Sequence, residues 1–144
     1  MNYSNDLYRN IILDHIENPK NKKEINSQEY LKSYLKNPAC GDDVLIYVLI
    51  DKDIIKDVSY DVNGCTVCKA STSIMSELLI GKTLKEVDII INNINNMLVG
   101  KDFDKNIIKD AIAFEGIKNL PPRIKCAILP YKAFKKAIGD KDEL

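Results

Sequence analysis

The 144-residue chain has no tryptophan and a single histidine, His15. One imidazole excludes every mechanism that needs two, including histidine-rich zinc sites and the paired-histidine motif of metalloproteases. An excess of charge of either sign is also missing. Lys plus Arg and Asp plus Glu are both 21, so the formal net charge is zero. This argues against nucleic acid as the main partner, because neutralising phosphates takes a surplus of cations. Long hydrophobic runs are absent too. The longest are Val44–Ile50 and Val87–Ile91, the second interrupted by Asp88, whereas a bilayer span needs ~20 apolar residues. No membrane partner is expected. The opening Met1-Asn2-Tyr3-Ser4-Asn5-Asp6 lacks a basic leader. The final Lys141-Asp142-Glu143-Leu144 spells a lumenal retrieval signal, which reads as coincidence in a chain rich in those residues. The expectation is a cytoplasmic protein. In that reducing compartment four cysteines point to metal binding or catalysis rather than to disulfides.

What is present fits one soluble globular domain spanning residues 1–144, with 45% hydrophobic and 29% charged residues. Leu7, Tyr8, Ile11, Ile12 and Ile16 recur at helical spacing, predicting a helix over 5–17 that stops at Asn18-Pro19. Residues 19–37 are polar and read as a connection with a short helical turn over 28–35. Val44–Ile50 and Ile54–Val62, separated by Asp51-Lys52-Asp53, predict an antiparallel hairpin. Helical patterns follow. The first carries Ala70, Ile74, Leu78 and Leu79 and is capped by Gly81. The second opens on the capping box Thr83-Leu84-Lys85-Glu86 and closes at Gly100. A third runs from Asp104 to Phe114 and ends at Gly116. The last opens on Pro121-Pro122, with Pro130 inside it predicting a bend or break. Helices outnumber strands without alternating with them. The fold class is therefore α+β, a small antiparallel sheet with helices on one face.

Cys40 precedes the first strand of the hairpin and Cys65 follows the second. Both loops lie opposite the hairpin's own turn, which brings the two thiols to one end of the sheet. Cys126 sits in the first turns of the last helix, and Asp42 is two residues from Cys40. Three sulfurs and a carboxylate suit zinc, or iron with sulfide. The alternative is that the cysteines are small buried hydrophobes. Cys65-Thr66-Val67-Cys68 is one CxxC; a redox pair of the thioredoxin kind needs a parallel βαβ unit, which this pattern lacks. Cys68 reads as a core residue, His15 as a surface or packing histidine, and Lys20, Lys22 and Lys23 as a solvated loop.

These motifs resemble a known family. Tyr8-Arg9, Ile12-Leu13-Asp14-His15 and Asn18-Pro19-Lys20-Asn21-Lys22 look like the opening of NifU/IscU-type iron–sulfur assembly scaffolds, in particular the SufU branch. Asn37-Pro38-Ala39-Cys40-Gly41-Asp42, Gly64-Cys65 with Ala70-Ser71-Thr72-Ser73 and Met75, and Leu120-Pro121-Pro122-Arg123-Ile124-Lys125-Cys126 resemble the three cysteine motifs in order. Lys125 stands where IscU-type chains carry a histidine, and 60 residues separate Cys65 from Cys126; both features are similar to SufU, whose added segment corresponds to about 92–117. Cys68, Lys23 and Pro130 depart from the family pattern.

The resemblance implies one zinc held by Cys40, Asp42, Cys65 and Cys126, and sulfur accepted from a cysteine desulfurase. It equally implies an alternative, a scaffold that assembles and releases a [2Fe–2S] cluster on the same ligands. Downstream partners would be an iron–sulfur assembly complex or apo-acceptor proteins. Cys40, on a loop beside Gly41, is the expected sulfur-accepting nucleophile, with Asp42 holding the geometry and Cys65 and Cys126 anchoring the metal. Arg123 and Lys125 flank the site, as partner contacts or as plain solvated charges.

Overall fold

Three antiparallel strands, β1 (Leu31–Asn37), β2 (Asp42–Asp51) and β3 (Ile54–Asn63), lie in the order β1-β2-β3. The computed structural model describes residues 3–139, so the Lys141–Leu144 tetrapeptide and the first two residues lie outside the described residues. Side chains alternate across a strand, and the register sets which of them share a face. Val48, Ile46 and Val44 of β2 stand opposite Val58, Tyr60 and Val62 of β3, and opposite Leu31, Ser33 and Leu35 of β1. All six β2 and β3 members of this face are buried. The next inward position along β2 is Asp42, paired with Asn37. The face that builds the core therefore ends in a carboxylate and an amide.

The hairpin follows the sequence reading. Lys52 and Asp53 both take positive φ, 52° and 63°, the two-residue turn whose twist matches the strands. The predicted helical turn over 28–35 is instead β1. Only Ser33 and Leu35 point inward at mid-strand, and Ser33 hides its hydroxyl by donating to the Ala133 carbonyl. A polar residue in a core position erased the alternation that marks a strand.

Helix α1 (Tyr3–Glu17) leads into a segment pinned along β3, with a parallel bridge between Lys22 and Tyr60. Helix α2 (Thr66–Leu79) packs on β3, and α5 (Pro121–Ala137) packs on β1, β2 and α2. Helix α3 (Leu84–Leu98) begins with both hydrogen bonds of its capping box, Glu86 N–H to Thr83 Oγ1 at 3.1 Å and Thr83 N–H to Glu86 Oε1 at 3.0 Å. The turn after α2 uses Gly81 at φ +87°, and its N–H donates to the Ile55 carbonyl, docking the turn on β3.

Two further expectations are corrected. The single helix from Asp104 to Phe114 is instead the four-residue α4 (Lys105–Ile108) followed by a 3-10 segment, Lys109–Asn119, that runs through Gly116. Lys109, at φ 47° and ψ −125°, breaks the α-helical path. Pro130 does not interrupt α5, which stays helical across it. Proline only withholds the N–H that would bond the Cys126 carbonyl, and burial of residues 126–131 holds the helix on. Among the described residues no helix is long and apolar enough to cross a membrane.

The capping box gives a direct test. Thr83→Ala removes the acceptor for an orphan N–H and should cost about 1 kcal/mol, seen as a fall in Tm of about 3 °C. An unchanged Tm would mean the cap contributes nothing here.

Candidate metal centre

Asn37, the last residue of β1, shapes the loop that carries the first cysteine. Its Oδ1 accepts from Ala39 N–H at 3.1 Å and its carbonyl from Gly41 N–H at 2.9 Å. Gly41 has φ +75°, a conformation that favours glycine. Cys40 stands exposed on this turn. At the far end of β3, Cys65 is the N-cap of α2, where unpaired backbone N–H groups favour an anionic sulfur. Cys126 lies in the second turn of α5, buried, its thiol 3.6 Å from the Pro122 carbonyl.

The strand ends and the helix converge on Asp42. The Cys65 N–H donates to its Oδ1 at 3.1 Å and the Cys65 thiol to its Oδ2 at 3.5 Å. The Cys40 and Cys126 sulfurs are 3.5 Å apart. One ligand atom each from Cys40, Asp42 and Cys126 lie within 4.8 Å of one another. Tetrahedral ligation at ordinary zinc bond lengths separates two sulfurs by about 3.8 Å and a sulfur from an oxygen by about 3.6 Å. The Cys40–Cys126 and Cys65–Asp42 separations lie within a few tenths of an ångström of those values; Cys65 stands outside the tight group of the other three and meets it through Asp42. Three thiols with one carboxylate also form a donor set of the right softness for zinc or for iron with sulfide.

The protons agree with this. Burial works to raise the Asp42 pKa, but hydrogen bonds from Cys126, Cys40 and Cys65 outweigh it and leave the carboxyl below its ordinary value. Burial, joined by the hydrogen bond to Asp42, pushes the Cys126 thiol well above its ordinary value. Without a cation the Cys126 thiol keeps its proton beside the carboxylate. A divalent cation held here would take the place of that proton, so its binding would release it.

Sequence reasoning brought Cys40, Asp42, Cys65 and Cys126 together; in the structure Cys40, Asp42 and Cys126 group tightly, and Cys65 joins them through its contacts with Asp42. It placed Cys68 in the core, and that thiol is fully buried and pushed up to about 12, mainly by burial. His15 is a packing histidine, 1% exposed. Arg123 and Lys125 are exposed on the first turns of α5. Two supporting residues escaped physical explanation at the sequence level. Asn37 is one; the Asn-Pro pair is its only signal. Gly64 is the other. A Cβ there would stand 2.5 Å from Asp42 Oδ1 and 2.6 Å from its Cγ, so only glycine lets the carboxylate reach the Cys65 N–H.

Known proteins share this architecture. Residues 7–142 match the family described as NifU-like N terminal domain. The zinc-dependent sulfurtransferase SufU of Bacillus subtilis (strain 168) is 34% identical over 137 residues, covering 94% of this chain and 92% of that one. The iron–sulfur cluster assembly scaffold protein IscU of Thermotoga maritima is 31% identical over 132 residues, 92% of each. A crystal structure described as a proposed iron–sulfur cluster assembly scaffold protein for the SUF system, from Fervidobacterium islandicum AW-1, superposes with a TM-score of 0.78. It is 38% identical, with 89% of this chain and 93% of that one covered. A NifU-like protein (N-terminal) from Brucella abortus gives a TM-score of 0.84 at 21% identity, covering 94% of each, a likeness of fold.

Gly64→Ala should lower zinc retention as far as Asp42→Ala does, while far-UV circular dichroism stays native. Zinc content of both purified variants checks it, and full retention in Gly64→Ala would break the link between the two residues. Cys68→Ala should leave zinc content unchanged. Because bound protons compete, zinc affinity measured against a chelator should fall as pH is lowered; a flat profile would mean that no thiol proton is displaced.

Proposed function

The chain belongs to the NifU-like N-terminal domain family, and on that footing we propose that it is a sulfur-accepting protein of iron–sulfur cluster assembly. In this reading it takes persulfide sulfur from a cysteine desulfurase in the cytoplasm and passes it to an assembly complex or an apo-protein. Cys40, Asp42, Cys65 and Cys126 hold one zinc. The zinc supplies a charge that keeps the thiols ionised near neutral pH, where a free thiol is only a few per cent ionised.

The observation that carries this reading is the difference between Cys40 and the other three. Cys65 is half-buried at a helix N-terminus, and Asp42 and Cys126 are buried in the frame. Cys40 alone is exposed, on a loop with Gly41 beside it. It is the sulfur a partner's mobile cysteine can reach. The Cys40 thiolate attacks the outer sulfur of the desulfurase persulfide, the new S–S bond forms on Cys40, and the desulfurase cysteine leaves as a thiolate. No external oxidant or reductant enters. Arg123 and Lys125, exposed beside the site, offer positive charge to an acidic partner surface. The SufU relative, named a zinc-dependent sulfurtransferase, supports this reading.

The scaffold reading, a [2Fe–2S] cluster built on the same four side chains, draws on the IscU relative. Metal analysis of anaerobically purified protein separates the two: one zinc and no colour, or iron with sulfide and a brown protein.

Cys40→Ser should abolish stimulation of a cognate cysteine desulfurase, because a hydroxyl with no activating base is a far poorer nucleophile. Alanine release with excess cysteine and a mass increase of one sulfur on the native protein are the measurements. Full stimulation by Cys40→Ser, or sulfur found only on Cys65, Cys68 or Cys126, would remove the nucleophile assigned here.

A further inference from the structure

Away from the cysteines, His15 comes from the last turn of α1 and is almost wholly buried. Its Nδ1 lies 2.8 Å from Ser73 Oγ on α2, and its Nε2 lies 3.1 Å from Asp110 Oδ2 on the 3-10 segment. Ser73 is itself fixed, accepting the Lys20 N–H at 2.9 Å. Glu77 stands one helical turn beyond Ser73, on the same face of α2. Ligand atoms of His15, Glu77 and Asp110 all lie within 4.8 Å of one another. A cavity of about 180 Å³ opens beside them, lined by Glu77, Asp110, Ile74, Leu78, Lys82 and Lys109.

We propose that His15, Glu77 and Asp110 form a second metal site, for a first-row divalent cation such as Mn²⁺ or Fe²⁺. Three features point the same way. The donor set is one imidazole and two carboxylates, which suits harder ions than the three sulfurs of the cysteine site do. The imidazole is held from behind by Ser73 Oγ; in the tautomer that donates Nδ1–H to that oxygen, the Nε2 lone pair faces Asp110. This is the outer hydrogen bond that metal-bound histidines carry. Two acceptors, the Nε2 lone pair and a carboxylate oxygen, then stand 3.1 Å apart and need a cation or a proton between them. At bond lengths near 2.1 Å, tetrahedral or octahedral ligation puts adjacent donor atoms about 3.0–3.4 Å apart, and the Nε2–Oδ2 separation already falls in that range. The cavity leaves room for water to complete the coordination, since a water occupies about 30 Å³.

Lys82 and Lys109 line the same cavity. Their charge opposes that of the ion and keeps affinity below that of an all-acidic cage. Their long stems let the ammonium groups move outward as the ion enters. The three ligands come from α1, α2 and the 3-10 segment, so a bound ion would brace three elements that pack on one another. The competing state is a proton bridging His15 Nε2 and Asp110.

The test uses the full chain with its zinc in place, titrated with Mn²⁺ alone. Loss of the free Mn²⁺ paramagnetic resonance signal should report one ion bound per chain at sub-millimolar concentration. Glu77→Gln, at an exposed position on α2, should weaken binding by about 10–100-fold with zinc content and metal-free Tm unchanged; Asp110→Asn should weaken it similarly. Cys40→Ser should bind Mn²⁺ as the native chain does, which separates this site from the cysteine cluster. No sub-millimolar binding would assign the bridge to a proton and overturn the proposal. So would unaltered affinity in Glu77→Gln, or loss of binding in Cys40→Ser.

Discussion

A carboxylate on the core face of a sheet has to find partners, because an unpaired buried charge costs several kcal/mol. Asp42 is that carboxylate, 2% exposed at the inward position that follows Val48, Ile46 and Val44 along β2. The local structure around it follows from the need to satisfy it. The β3–α2 turn passes close enough for the Cys65 N–H to donate, and that approach admits no Cβ at position 64. The second turn of α5 brings the Cys126 thiol to the same point. One strand end, one helix N-terminus and one helix interior are thereby fixed in relation to a single side chain.

Around Asp42 the thiols divide by mobility rather than by chemistry. All three are sulfurs beside Asp42, but their backbones differ. Cys65 opens a helix and Cys126 lies inside one, whereas Cys40 sits on an Asx-type turn closed by Asn37. A helix holds its residues against tertiary packing; a four-residue turn with a glycine at φ +75° is held by three hydrogen bonds. The same donor set thus combines two anchors fixed by helices with one exposed member on a turn, the division of roles that the proposed sulfur transfer calls for.

Much of this was legible in the residues. The hairpin was visible in its β-branched runs, and a hairpin forces its two outer loops to one end, so Cys40 and Cys65 could be placed together without knowing any angle. Thr83 and Glu86 announced their cap. β1 was hidden because its inward residues include Ser33 and Asn37, whose polarity is satisfied only by α5 and by the turn beyond. The 3-10 segment was hidden because its composition is that of a helix; the break at Lys109 lies in backbone angles that no side chain there signals. Pro130 misled in the other direction, since a local rule against proline in helices yields where both flanks are buried. Gly64 was visible as a letter but not as a requirement, because the atom it makes room for is 22 residues away in sequence.

The order β1-β2-β3 leaves two open sheet edges in a three-stranded sheet, each a row of unpaired backbone groups able to template another strand. Both are occupied without adding a strand. Along β3, the segment carrying Lys22 bridges to Tyr60, and Ser59 Oγ both accepts the Lys23 N–H and donates to the Lys23 carbonyl. Along β1, Lys136 reaches back from the end of α5 and donates Nζ to the Tyr34 carbonyl, at 3.1 Å, while Lys32 and Lys36 stand exposed on the strand. Lysine is the residue that discourages edge-to-edge pairing. The lysine-rich composition therefore does colloidal work: a molecule with no net charge, and so without long-range repulsion between its copies, is kept from pairing edge to edge by a few positive charges placed along its margins.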